Sequence, residues 1–206
     1  MKVLLAFTLL TAASAQQFEI GALAGGGFLS SAPESHAASV SAGLAPGPTA
    51  GFIFAQNRYA RWSGEIRYLF EERDPRITGA GTSTSFSGQT HAVHYDLIFK
   101  PRARSTRVQS YFSAGGGLKV FRGTGSEAAY RPLMQYAYLT RATEWKPMVA
   151  LGAGIKFPLT PHWILRADFQ AHVTPFPSRV ITPAPGLSMA RWLVDLVPTV
   201  GLSWVF

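Results

Sequence analysis

From Trp163 to Val173 every second side chain is apolar: Trp163, Leu165, Ala167, Phe169, Ala171 and Val173 alternate with Arg166, Asp168, Gln170 and His172. A period of two marks an extended strand, whose successive side chains point to opposite faces; a helix turning every 3.6 residues would mix the two sets. Trp62, Gly64, Ile66, Tyr68 and Phe70 stand in the same way against Arg61, Ser63, Glu65 and Arg67. Val93, Tyr95, Leu97 and Phe99 stand against His94 and Asp96. No fold but a sheet with one greasy and one polar face accommodates this pattern.

Five further segments fit the template. Phe18 to Phe28 is glycine-rich, and Pro48 to Gln56 holds Phe52 and Phe54 on one face. Val108 to Phe121 sets Phe112, Ala114, Leu118 and Val120 against Gln109, Ser113 and Lys119. Met148 to Phe157 sets Val149, Leu151, Ala153 and Ile155 against Lys156. The last segment, Arg191 to Phe206, sets Trp192, Val194, Leu196, Val200, Leu202, Trp204 and Phe206 against Arg191, Asp195, Thr199 and Ser203. Pro198 inside it lacks a ladder donor, which predicts a local bulge or irregularity. The triplets Gly25-Gly26-Gly27 and Gly115-Gly116-Gly117 sit within strand patterns, where glycine relieves crowding rather than cradling phosphate.

The connections alternate in length. Short ones follow Gln56, Lys100 and Phe157, whereas those around 29–46, 72–87, 122–144 and 176–190 are long. Brief turns at one end and extended loops at the other are the pattern of an outer-membrane barrel. The predicted fold is therefore all-β, an eight-stranded antiparallel up-and-down transmembrane β-barrel spanning 16–206.

Residues 1–15 are set apart as a secretory signal peptide: Lys2, an apolar run from Val3 to Leu10, and a small-residue cleavage site at Ala13-Ser14-Ala15. The apolar run is shorter than the roughly 20 residues of a spanning helix. Only 15% of residues are charged and 47% are hydrophobic. There is no cysteine, so neither disulfides nor a lipoprotein anchor play a part. The net charge of +8, or +7 without Lys2, reads as surface decoration toward lipid phosphates, because an exported chain rarely meets nucleic acid.

Alternation alone does not say which face is outside, since a soluble lipocalin-like ligand carrier shows the same period. Three features favour oil outside. The polar face carries Glu19, Glu65, Asp96, Asp168 and Asp195 against Arg61, Arg67, Lys119, Lys156, Arg166 and Arg191, a near balance that suits a closed interior. Aromatic residues gather near the strand ends: Phe54, Tyr59, Trp62, Phe99, Phe157, Trp163, Trp204 and Phe206 by the short turns, and Phe28, Phe70, Trp145, Phe176 and Trp192 by the long ones. Such rings favour the two membrane interfaces. Finally, Thr199, Gly201, Trp204 and Phe206 match the C-terminal signal read by the bacterial barrel-assembly machinery, with a polar residue, a glycine two later and an aromatic end.

With eight strands, a terminal Phe206 and segments such as Tyr111-Phe112-Ser113-Ala114-Gly115-Gly116-Gly117-Leu118-Lys119 and Leu151-Gly152-Ala153-Gly154-Ile155-Lys156-Phe157, the chain resembles the OmpA/OmpX-type outer-membrane barrels. The resemblance implies a monomeric barrel in a Gram-negative-type outer membrane but no single activity, and with no domain after the barrel a cell-wall tether is not expected. An eight-stranded barrel is just wide enough for side chains to fill it, so the polar face is expected to plug the lumen. Arg73, Arg76, Arg122, Arg131, Arg141 and Arg179 in the long loops are candidates to hold lipopolysaccharide phosphates. The alternative of a lipid A-modifying enzyme rests on His91, Ser85 and Ser87, with no acid placed beside them. A metal site at His94 and His172 requires convergence across the lumen. No catalytic residue, metal or cofactor is assigned.

Overall fold

The computed structural model describes residues 17–28, 30–33, 40–57, 59–79, 81–102, 108–127, 132–186 and 191–206. The expected signal peptide and Arg131 lie outside the described residues. Eight long strands form the barrel: β1 (Gln17–Gly27), β4 (Gly47–Asn57), β5 (Trp62–Glu71), β8 (Gly88–Phe99), β9 (Gln109–Gly123), β11 (Thr143–Pro158), β12 (Trp163–Pro175) and β14 (Trp192–Val205). Among the described residues the long connections contain six short strands: β2 (Ser30–Pro33), β3 (Val40–Leu44), β6 (Pro75–Gly79), β7 (Thr82–Ser85), β10 (Ala137–Leu139) and β13 (Ile181–Pro183).

The long strands pair antiparallel around a closed ring in the order β1-β14-β12-β11-β9-β8-β5-β4. Chain neighbours are ring neighbours, and the two chain ends close the seam. Phe18 and Phe206 exchange backbone hydrogen bonds of 3.0 and 2.9 Å there. Closure leaves the barrel wall no open edge. Pro198 makes no bulge. The β12–β14 register runs unbroken from Trp163↔Trp204 to Pro175↔Trp192. On the β1 side, pairing stops at Gly25↔Thr199 and resumes in the same register at Phe28↔Leu196. The missing donor of Pro198 faces that gap, so the ladder is interrupted rather than shifted.

Parity decides the faces as the alternation implies. The exterior carries the apolar set: Phe52 is 64% exposed, Phe112 58%, Leu97 53% and Leu151 52%. One aromatic girdle surrounds the end with the short turns, where Trp62 meets Phe99 and Trp163 meets Trp204, each pair with ring centroids 4.9 Å apart. At the other end, Phe28, Trp145 and Trp192 are exposed.

The long connections do not merely cover the outer end; they fold over it. β2, β3, β6 and β7 make a four-stranded sheet, and β10 pairs with β13. Val40, Leu44, Ile77, Phe86, Leu133, Leu139, Phe176 and Ile181 pack into a buried apolar core beneath these strands. Phe121 of β9 and Leu193 of β14, inward-facing at the top of the barrel wall, belong to the same core. Phe176 therefore lies in the cap interior and not in the outer girdle, because the chain leaves β12 and turns over the barrel mouth. An apolar core thus lies over the end of the lumen that carries the long connections.

Candidate functional site: the charged lumen

The polar face of each strand meets the others inside the barrel. Among the described residues, the acids Glu19, Glu65, Glu71, Asp96, Asp168 and Asp195 and the bases Arg67, Arg73, Lys100, Lys119, Lys156 and Arg166 are buried there, and Glu144, buried at the mouth, pairs with Lys146 at 2.7 Å. Balance matters because each unpaired charge taken out of water costs on the order of several kcal/mol.

Toward the short turns the pairs interlock. Arg166 Nη1 lies 2.8 Å from Glu65 Oε2, and its Nε lies 2.9 Å from Asp168 Oδ2. Arg67 meets Glu65 at 2.7 Å and Asp168 at 3.6 Å. Lys156 donates to Glu19 at 2.6 Å. Asn57 donates to Glu19 and accepts from Lys100, at 3.3 and 2.9 Å, linking Lys100 to the group. The Tyr111 hydroxyl accepts from Arg166 at 2.9 Å. The bonds from Lys156 to Glu19 and from Arg166 to Glu65 cross the lumen, β11 to β1 and β12 to β5.

A second cluster lies toward the cap. Lys119 Nζ bridges Glu71 and Asp195, 2.9 Å from both carboxylate oxygens of Glu71 and 2.7 Å from Asp195 Oδ2. Arg73 pairs with Asp195 and donates to the Ala45 carbonyl at 2.9 Å. Arg73 follows β5, Ala45 follows β3 and Asp195 belongs to β14, so one guanidinium pins two outer connections to the barrel wall. Gly27 makes room for it: a Cβ there would sit 2.4 Å from Arg73 Nη1.

Along β5, β8 and β14 an apolar residue separates the two clusters. Leu69, Ala92 and Val197 pack there with Leu23, Ile53, Met148 and Ala150. Two histidines carry the polar chain past them. His94 Nδ1 is 2.9 Å from Asp96, and His172 Nε2 is 3.2 Å from Gln170, which itself donates to Asp96 at 2.8 Å. Their rings meet edge to face, centroids 5.3 Å apart. These large side chains have space because β9 is bare opposite them. A Cβ on Gly115 would meet Asp96 Oδ1 at 2.1 Å, and one on Gly117 would meet His94 Cα at 2.5 Å.

Nine of the eleven lumen residues picked out in the sequence are buried inside the wall: Glu19, Glu65, Arg67, Asp96, Lys119, Lys156, Arg166, Asp168 and Asp195. Arg61 and Arg191 are not; both are exposed. They have the inward parity, but each stands one residue before its strand begins, where the chain is already turning and parity no longer fixes direction. Conversely Arg73, expected on a loop, is fully buried, and Glu71 and Lys100 were missed at the ends of the alternating segments. Parity alone would have found Glu71, since it continues the series Ser63, Glu65, Arg67.

The histidines converge across the lumen, but each bonds a neighbouring side chain. Glu71, His172 and Asp195 each place one ligand atom within 4.8 Å of the others. The Lys119 ammonium sits between the two carboxylates and supplies the positive charge there. His91 is on the outer wall, sharing a 2.9 Å hydrogen bond with the Tyr68 hydroxyl and packing against Phe70. Among the described residues no carboxylate is bonded to it, and Ser85 lies on β7 of the cap. Arg76, Arg122, Arg141 and Arg179 are exposed at the outer end. Thr199 and Gly201 face inward and Trp204 and Phe206 outward on the seam strand, next to β1.

No protein-family model matches the sequence, and a search of curated proteins finds no relative. Solved structures do match. Neisserial surface protein A (NspA) is similar at TM-score 0.57 and 10% identity, over 92% of this chain and 96% of that one. The outer membrane protein OprG from Pseudomonas aeruginosa is similar at TM-score 0.55 and 14% identity, over 93% and 95%. A major outer membrane protein from Thermus thermophilus is similar at TM-score 0.55 and 16% identity, over 93% and 99%. The chain has the fold of the small eight-stranded outer-membrane β-barrels, the fold its resemblance to the OmpA/OmpX type implied.

Proposed function

We propose that this chain is an integral outer-membrane protein, exported by a cleaved signal peptide. Its plugged barrel stands in the bilayer as a monomer and serves as a rigid base for the folded outer cap. Its role is structural or one of surface interaction, with outer-membrane lipid as its surroundings, rather than transport or catalysis.

One observation carries this reading: the wall is apolar outside, while the ion pairs inside reach from strand to distant strand. An exterior band of exposed Phe, Leu, Val and Trp side chains belongs in hydrocarbon, not in water. Inside, Arg166 to Glu65 and Lys119 to Asp195 occupy the cross-section through which solute would pass. The apolar cap core lies over the mouth above them.

Planar-bilayer recording of the purified protein tests the plug. Brief, small or absent conductance is the expected result; large, steady open-channel currents overturn it. Electrophoresis of unboiled protein tests the membrane barrel, which is expected to run faster than the boiled chain and to need detergent for extraction.

A further inference from the structure

On the outer wall, one strip of the surface departs from the apolar band. The registers align Gln89 of β8, Arg122 of β9 and Thr143 of β11 as direct neighbours. One step lower, the same registers align Phe70, His91, Val120 and Trp145. A row of hydrogen-bond donors therefore sits directly above an aromatic and apolar row, with the Tyr68–His91 bond at its flank.

The height of this strip is set by strand geometry. At about 3.3 Å per residue and a tilt near 40°, the path from Phe99 in the lower girdle up β8 to Gln89 rises about 25 Å, the height of the apolar band. Gln89, Arg122 and Thr143 thus fall where hydrocarbon gives way to headgroups. Arg122 is exposed and forms no ion pair among the described residues. The acid nearest along the row, Glu72, follows β5 two strands away, about 10 Å at ordinary strand spacing. The buried charges of the wall below this level are turned inward and bonded to one another, so an outward guanidinium here faces whatever anion the surroundings supply.

Below Arg122 the wall is apolar and dips at one glycine. Gly116, outward-facing on β9, has only the Met148 carbonyl within 3.4 Å of where a Cβ would stand. Its register neighbours Tyr95 and Val149 rise on either side, each 51% exposed. Leu118 and Val120 continue the apolar strip upward from Gly116 to Arg122.

We propose that Arg122, with Gln89 and Thr143, binds the phosphate of a phosphorylated lipid headgroup in the outer leaflet. The lipid's acyl chain lies along Val120, Leu118 and Gly116. Guanidinium matches phosphate with two parallel charge-assisted bonds, and the amide and hydroxyl of the flanking residues take further oxygens. The proposal rests on the reading of the chain as a membrane barrel.

Native mass spectrometry of the full protein in detergent tests it, with lipid A, lipid A lacking its phosphates, phosphatidylglycerol and inorganic phosphate as probes. A phosphorylated lipid is expected to bind at least about tenfold tighter than the dephosphorylated form, and Arg122→Gln to remove that difference. Arg179→Gln, on the cap, is expected to leave it unchanged. Lipid A and phosphatidylglycerol tell the two lipid sources apart, and preference for either supports the site. Equal binding of dephosphorylated lipid, equal loss in Arg179→Gln, or capture of inorganic phosphate as tightly as lipid overturns it. Failure of the membrane reading itself shows separately, as a wild-type protein that is soluble without detergent and whose mobility is unchanged by boiling.

Discussion

Arg166 and Glu65 stand on strands at opposite points of the ring, β12 and β5, with three strands between them on either side, and their side chains meet at 2.8 Å across the lumen. The bond joins two parts of the wall that no backbone ladder connects. Arg166 also holds Asp168 on its own strand, so the guanidinium is the hub of the lower cluster.

Glu65→Leu should therefore cost about 3–5 kcal/mol, because it leaves Arg166 and Arg67 with too little negative charge in a buried site. Glu65→Leu combined with Arg166→Met should recover a large part of that loss. Urea unfolding of the barrel in lipid vesicles, analysed as a double-mutant cycle, measures both. Additive losses in the pair would show that the two groups do not depend on each other.

Arg73→Ala should loosen the cap while leaving the barrel closed. The change removes the bond to the Ala45 carbonyl and one partner of Asp195, which keeps Lys119. Protease cleavage within 72–87 should rise at least about tenfold, the equivalent of roughly 1.4 kcal/mol of easier local opening. The faster mobility of unboiled protein should persist.

Val93→Arg places a charge near the middle of the exterior band and should weaken folding into vesicles by about 2–4 kcal/mol. Trp62→Arg, at the edge beside the short turns, should cost about 1 kcal/mol or less from the charge itself. A soluble barrel with the same wall would tolerate both equally, so the ratio between the two variants is the informative quantity.

Phe206→Ala separates stability from assembly. Phe206 stacks on Phe18 with ring centroids 6.0 Å apart, a contact worth about 0.5–1.5 kcal/mol beyond burial. Spontaneous folding into thin-bilayer vesicles should change by little more than that. Insertion by reconstituted barrel-assembly machinery should fall further, if Thr199, Gly201, Trp204 and Phe206 form the assembly signal proposed from the sequence.

The cap core yields to a single truncation. Ile181 is fully buried there, so Ile181→Ala should cost about 2–5 kcal/mol locally. Amide exchange should accelerate in β10 and β13 and stay slow in the long strands.

The alternation of side chains by itself determined eight strands, their approximate limits and which residues face inward. Side-chain direction along a strand is a local property with a period of two, and it holds wherever the strand runs. It failed at Arg61 and Arg191 because each lies beyond a strand end, where the period has no force. Tertiary structure decided the rest. That Arg166 meets Glu65, that Lys119 bridges Glu71 and Asp195, and that Arg73 drops into the mouth all follow from ring closure and stagger, which bring together residues far apart in the chain. The cap was hidden for the same reason: β2, β3, β6 and β7 are too short to show a period, and their apolar residues find a core only when the barrel holds four separate connections over one opening.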